Sequence, residues 1–342
     1  MQQVTFTLRT LTPLFLAGAD QTQAELRAPT FRGLMRYWYR ALIGGIVGAN
    51  QGTLQQVMEA EKAVFGATDT GSAVSIRIKV SKESLNRTEE FRRTGTGWNV
   101  PGKDYLFWSM EQFGNKPRRR YFPKDMQFEV TLSTPSTDST ALERALAAFW
   151  LLVNLGGIGS RSRRCAGSLV IQHVKDNTTR IKFDTPKSIE ELQTQINQGI
   201  KLARELYNAP PILVSSASFD ILAQQTASIW ILYDKDQPWL TPEAAMNAIG
   251  ASLQNYRRSI LPPRDRKIFG LPLKGVSNKR RASPLLLRIA EIQEEGRKRY
   301  VGIAIVFKTI GVDALGDTIS VKDYSLIEKW FMKFSGRKQV ML

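Results

Sequence analysis

The periodic segments in the first half of the chain follow one another in an order that few folds accept. Val4 to Thr10 alternates Val, Phe and Leu against Thr and Arg, the period of a half-buried strand. Thr12-Pro13 and Gly18 break it. The spacing then predicts a helix beginning near Phe31, with Thr30 as its cap and Pro29 just before. In that helix Leu34, Trp38, Ala41, Leu42 and Gly45 share one stripe, while Arg32, Arg36 and Arg40 share another. A further helix runs from Leu54 to Phe65 with Val57, Ala60 and Val64 in register. Val74–Val80 and Met126–Leu132 read as strands. Between them, Ser81 to Lys103 is polar and Gly-rich, and a long mobile loop is expected. Leu142, Ala145, Leu146, Phe149, Trp150 and Val153 mark a strong amphipathic helix. A glycine-rich segment follows directly, then a strand from Ser168 to Val174.

Strand, helix, strand, strand, helix, strand is the ferredoxin-like (RRM-like) order. Asp176 to Lys187 reads as a linker. Beyond it lie a helix from Ile189 to Tyr207, Pro210-Pro211, strands at Ser218–Ala223 and Ser228–Tyr233, and a helix at Pro242–Tyr256. Leu285–Ile292 and Tyr300–Phe307 read as paired strands, and Lys322–Phe334 as a last helix. The 342 residues suit two domains of ordinary size. The expected class is therefore α+β, with two tandem ferredoxin-like domains, 1–175 and 176–342.

The formal net charge is +17, from 48 basic and 31 acidic residues, and it favours an anionic partner. The charge is clustered. Ala28 to Met58 holds three arginines and no acid, and Arg257 to Arg299 holds thirteen basic residues against four acids. Lys116, Arg118, Arg119, Arg120 and Lys124 run without an acid between them. No stretch has the ~18 consecutive apolar residues of a membrane span. No basic amphipathic helix offers a broad apolar face to lipid, so no membrane partner is expected. Met1-Gln2-Gln3-Val4-Thr5-Phe6 lacks a secretory pattern. The single cysteine, Cys165, fits a reducing cytoplasm, the expected location.

Two segments put arginines beside tight turns: Arg27-Ala28-Pro29-Thr30-Phe31-Arg32-Gly33-Leu34-Met35-Arg36-Tyr37-Trp38-Tyr39-Arg40, and Gly156-Gly157-Ile158-Gly159-Ser160-Arg161-Ser162-Arg163-Arg164-Cys165. The glycines end a helix, precede a strand and lack a Gly-Lys-Ser/Thr ending, so they are not a Walker loop. Ser162 stands where a dinucleotide fingerprint needs its third glycine. Gly156 or Gly157 serves as a helix cap. Backbone N–H groups free of side-chain bulk, flanked by guanidinium forks, suit phosphate oxygens. Like charges at i, i+4 mildly destabilise a helix, so something anionic should offset Arg32, Arg36 and Arg40. Tyr37 and Tyr39 suit either stacking on bases or packing. His173 is the sole histidine and lies in a strand. One Cys and one His make no zinc set, and the scattered acids make no two-metal site. Asp20 reads as a turn residue. No catalytic residue, metal or cofactor is expected.

Leu11-Thr12-Pro13-Leu14-Phe15-Leu16-Ala17-Gly18-Ala19-Asp20, the Arg27-to-Arg40 segment with Trp38, and the Gly157-to-Arg164 loop together resemble the RAMP superfamily of CRISPR RNA-binding proteins. With Gly270-Leu271-Pro272 and Arg280-Arg281-Ala282-Ser283-Pro284-Leu285-Leu286, the combination is similar to the first Cmr subunits of type III-B effector complexes. The resemblance implies a non-catalytic subunit at the head of a ribonucleoprotein, beside other RAMP subunits. There it would bind the 3′ part of the guide RNA or its paired target RNA. Carried over by position, the RNA-contact candidates are Arg27, Arg32, Arg36, Arg40, Gly157, Gly159, Arg161, Arg163, Arg164, Arg280 and Arg281. The loop departs from the pattern at Cys165, where glycine is usual. If that position needs positive φ, cysteine adds strain. The rival functions are a RAMP endoribonuclease processing precursor guide RNA, with Tyr37, Lys175 or His173 as weak nominees, and a generic RNA-binding structural protein.

Overall fold

The computed structural model describes residues 1–20, 22–50, 52–95, 100–111, 119–175, 180–207, 214–262, 265–273, 277–312, 316 and 318–342. Lys116, Arg118, Pro210 and Pro211 lie outside them. In the first half the elements are β1 (Gln2–Thr10), α1 (Ala28–Val47), α2 (Leu54–Phe65), β2 (Ser75–Lys79), α3 (Lys82–Asn86), β3 (Glu89–Glu90), α4 (Gly102–Phe107), β4 (Arg120–Tyr121), β5 (Gln127–Thr134), α5 (Thr140–Leu155) and β6 (Leu169–Lys175). The second half has α6 (Ile189–Glu205), β7 (Ala227–Tyr233), α7 (Pro242–Asn255), β8 (Leu271–Leu273), β9 (Ser277–Arg281), β10 (Leu285–Glu294), β11 (Arg297–Phe307), β12 (Gly311–Val312), β13 (Thr318–Ile319), α8 (Ser325–Phe331) and β14 (Gly336–Val340).

Two four-stranded sheets carry the fold, in the orders β2-β5-β1-β6 and β10-β11-β7-β14. All their strand pairs are antiparallel. Val4, Phe6 and Leu8 of β1 and Val130 and Leu132 of β5 are buried against α1 and α5, which the alternation requires. The same core takes in Ile229, Ile231, Ile303, Ile305 and Phe307 of the second sheet. The alternate residues of that sheet, such as Leu232, Ala304 and Val306, pack with Met246, Ile249, Ile327 and Trp330 of α7 and α8. The second sheet is thus covered on both faces, and β10 and β11 are buried almost without interruption. α5 lies between layers and is buried nearly all round, as an apolar helix demands.

Several expectations are corrected. α1 begins at Ala28 with Arg27 as its cap position, earlier than Phe31. The expected mobile loop, residues 81–103, holds α3 and β3 and runs into α4; β3 pairs with β4 beyond it, and Phe91 and Phe107 anchor the region on Phe15. Ser218–Ala223 has no strand partner. Instead it lies along α1, where Leu222 N–H donates to the Ala41 carbonyl at 2.8 Å. β14 was not expected at all. Arg9, expected outward, is buried, and donates to Glu291 of β10 at 2.6 Å and to Asp125 at 2.7 Å.

The seam between the halves is held by guanidinium groups on backbone carbonyls. Arg288 of β10 is buried and donates to the carbonyls of Val153, Leu169 (2.9 Å) and Ile289. Removing it strands carbonyls in the interior, each costing about 1–3 kcal/mol. Arg288→Met should therefore lower unfolding stability by about 3 kcal/mol or more in urea titration. An unchanged midpoint would show that the seam does not depend on this group.

Candidate nucleic-acid interface

α1 starts with Pro29 in its first turn, where the missing N–H costs nothing. No side chain caps that turn and it holds no acid. Thr30 N–H donates back to the Arg27 carbonyl at 3.2 Å, so what the turn offers an anion is chiefly the positive end of the helix dipole. Residues two apart on a helix point about 160° away from each other. Thr30 and Leu34 thus lie on one flank of α1 and Arg32 and Arg36 on the other. Exposed Gly33 stands on the ridge between them.

The glycine-rich loop meets the first flank. Gly156 ends α5 in an extended conformation, donating to the Leu152 carbonyl at 3.0 Å. Gly159 has φ +84, and a Cβ there would strike the Phe15 carbonyl. Only glycine lets the loop pass this close, and Ser160 N–H then donates to the Phe15 carbonyl at 2.7 Å. A cleft of about 300 Å3 results. It is lined by Phe15–Ala17, Thr30, Leu34, Gly159, Ser160, Arg119 and Arg120, with no acid among them. Thr88 braces Arg120, accepting from its Nε at 2.9 Å.

The structure brings parts of both motifs to one cleft, but most of their arginines are engaged within the protein. Arg32 donates to Ser72 Oγ at 2.5 Å. Arg36 and Arg40 share the buried carboxylate of Glu61 on α2, Arg40 at 2.7 Å. The anion expected to offset this stripe is therefore internal. Arg27 makes a loose pair with Glu25 at 3.6 Å and stays half-exposed. Arg161 donates through Nε to the Leu106 carbonyl at 2.7 Å, and burial lowers its pKa to about 10. Arg163 donates to Asp220 at 2.9 Å, to the Ser283 carbonyl at 2.6 Å and to Tyr37 Oη at 3.3 Å. Arg164 is buried on the Leu285 and Phe269 carbonyls and Ser283 Oγ, and burial lowers its pKa to about 9. Arg280 is exposed on β9, while Arg281 reaches Tyr324 Oη at 3.2 Å. Gly157 lies buried in the loop.

The remaining candidates are elsewhere or locked. Tyr39 packs against Phe65 and Tyr207. Tyr37 donates to Asp220 at 2.7 Å, and burial holds its hydroxyl well above the usual phenol range. His173 and Lys175 pair with Thr7 and Thr5 and are exposed on β6, away from the cleft-lining set. Asp20 accepts from Thr22 N–H and Oγ in a turn. Arg119 and Arg120 were visible as charge but not as a cleft wall, because the ribbon that carries them has no periodic signal.

Cys165 does take positive φ, at +68. That conformation costs about 1–2 kcal/mol for a residue with a Cβ. Its neighbours over-determine it: its N–H donates to Leu287 O at 2.8 Å, and its carbonyl accepts from Thr12 Oγ at 2.6 Å and Ser168 Oγ at 3.0 Å.

The family model of the RAMP superfamily matches residues 7–170. Two curated relatives come from Pyrococcus furiosus. CRISPR system Cmr subunit Cmr1-2 is 33% identical over 192 residues, 52% of this chain and 98% of that protein. Cmr subunit Cmr1-1 is 28% identical over 296 residues, 83% of this chain and 81% of that protein. The chain belongs to the Cmr1 family of CRISPR Cmr subunits, within the RAMP superfamily. Solved structures share the fold. The apo crystal structure of Cmr1 from Pyrococcus furiosus has TM-score 0.68 at 23% identity, covering 100% of this chain and 99% of that one. A chain of the type III-B Cmr-beta complex bound to cognate target RNA has TM-score 0.62 at 14% identity, covering 96% and 99%.

Burial pushes the Cys165 thiol up to about 12. Both states hold the proton below the unfolded thiol's pKa of about 8.5. Above that, the unfolded chain ionises first, so stability falls as pH rises towards about 12. Maleimide should label the urea-unfolded chain once and the native chain not at all at pH 7. Rapid native labelling would mean the loop opens readily.

Proposed function

We propose that this chain is a non-catalytic RNA-binding subunit of a type III-B CRISPR effector complex. It holds the 3′ part of the guide RNA, or the target paired with it, beside other RAMP subunits in the cytoplasm. The observation that carries this is the acid-free cleft where the α1 N-terminus, the glycine-rich loop, Arg119 and Arg120 converge. The net charge of +17 supports a polyanionic partner. No helix among the described residues is long and apolar enough to cross a membrane. In both sheets the strands follow the order second, third, first, fourth within a strand-helix-strand-strand-helix-strand run. That supports tandem ferredoxin-like domains meeting near residues 174–190. The cleft offers backbone and guanidinium donors, which grip phosphate without reading sequence.

Cleavage by transesterification needs a base at the 2′-hydroxyl. Tyr37 is part-buried with its hydroxyl held protonated, and His173 and Lys175 are not among the cleft-lining residues. Among the described residues no cluster of three or more His, Cys, Asp or Glu suits a metal.

Purified protein should bind single-stranded RNA with a log–log salt slope of roughly −0.7 per phosphate neutralised. Arg119→Ala with Arg120→Ala should weaken it by at least roughly tenfold, since charge-assisted bonds are worth ~1.5–3 kcal/mol each. Affinity indifferent to salt would defeat the reading. Labelled precursor guide RNA should stay intact with or without divalent metal. Cuts at one repeat position, lost in Tyr37→Phe, would establish the endoribonuclease instead.

A further inference from the structure

Arg163 is held by an acid from the other half of the chain. A strap, residues 217–223, crosses α1 at Gly44 and Gly45, where a Cβ on Gly45 would strike the Leu222 carbonyl. Leu222 N–H donates to Ala41 O at 2.8 Å, and Arg204 holds the Leu222 carbonyl at 2.8 Å. The notch brings Asp220 to Arg163 at 2.9 Å and to the Tyr37 hydroxyl at 2.7 Å. The Arg163 guanidinium also lies over the Tyr37 ring, 5.5 Å from its centroid. Tyr37 follows Thr30 and Leu34 on the same flank of α1, about one turn beyond the cleft. Arg163 keeps 29% of its side chain exposed and Asp220 only 19%. The cation is thus reachable from solvent, while its brace is largely covered. Ser283 O, Tyr37 Oη and Asp220 occupy only part of its donor fork; no partner takes its Nε–H among the described residues.

Resting on the RNA-binding reading, we propose that Asp220 is a positioning residue: it fixes the Arg163 guanidinium to grip a backbone phosphate of the RNA as the strand leaves the cleft. An acid here runs against simple charge attraction, which makes the sign of its removal diagnostic. Asp220→Asn adds one positive unit to the protein, so without a positioning role it should tighten RNA binding.

The test uses the full chain and a fluorescently labelled single-stranded RNA, titrated at several salt concentrations. Asp220→Asn is expected to weaken binding by roughly tenfold and to flatten the salt slope by about 0.7, one phosphate on a single strand. Asp220→Glu should restore part of both. In an Arg163→Ala background Asp220→Asn should cause no further loss, and the added positive unit should leave binding equal or slightly tighter. Tyr37→Phe, which removes only the bracing hydroxyl, should move affinity and slope in the same direction as Asp220→Asn. It carries the test if the Asn variant melts early. Tighter binding in Asp220→Asn, an unchanged slope, or the same loss with Arg163 already removed would overturn the assignment. Wild-type protein that fails to bind RNA would instead defeat the RNA-binding reading on which it rests.

Discussion

Arg288 sits where α5 ends and the glycine-rich loop begins, and the rest of the molecule is arranged around that contact. Its guanidinium takes the Val153 carbonyl, one of the last-turn carbonyls that a helix cannot satisfy internally, together with Leu169 O at the start of β6. Burying a cation costs several kcal/mol. The negative end of the α5 dipole offsets part of this, and three carbonyl partners offset more. Burial depresses its pKa to about 9, so the group is still charged at neutral pH. Arg164 repeats the device in the opposite direction, reaching from the loop into the Phe269 and Leu285 carbonyls. Each half thus inserts a cation into the other's backbone.

This clasp sets the loop's shape. With Cys165 N–H on Leu287 O and Gly167 N–H on Pro13 O, the loop is tied to both halves. That anchoring sustains left-handed conformations at Arg161 and Cys165, which a free loop would relax. The product is a short part-buried stretch, Gly159–Ser160, held against Phe15 and lining the cleft with Thr30 of α1. A rigid backbone that needs no reorganisation on binding loses less entropy when a phosphate arrives.

Segments with a strong apolar period of their own were legible in the sequence. β1, α2 and α5 carry apolar residues at the spacing their own geometry dictates, and their ends fall close to expectation. Elements formed by tertiary contact were not. The β3–β4 ribbon and α4 depend on Phe91 and Phe107 docking on Phe15, which no local pattern announces. Ser218–Ala223 has strand-like composition, but α1 takes its Leu222 N–H, so it becomes a strap. β14 reads Gly-Arg-Lys-Gln-Val and escapes notice because an edge strand tolerates charge. At the site, both motifs were visible as arginines and glycines near turns. Their partners were not: Glu61 lies a helix away from Arg36, and Asp220 lies in the other half of the chain.

The arginines divide by what surrounds them rather than by motif. Arg161 and Arg164 are neighbours of Arg163 in sequence, yet they serve backbone carbonyls and hold the fold. Arg36 and Arg40 share one carboxylate, which leaves that flank of α1 with a surplus of charge but with both groups tethered. Arg119 and Arg120 belong to no motif, and they stand on the cleft wall. A guanidinium already donating to buried carbonyls loses those bonds if it turns to a ligand, so the exchange gains little. A guanidinium at the surface gives up only water. The same residue type therefore builds the seam where it is covered and offers a phosphate contact where it is open, and burial decides which.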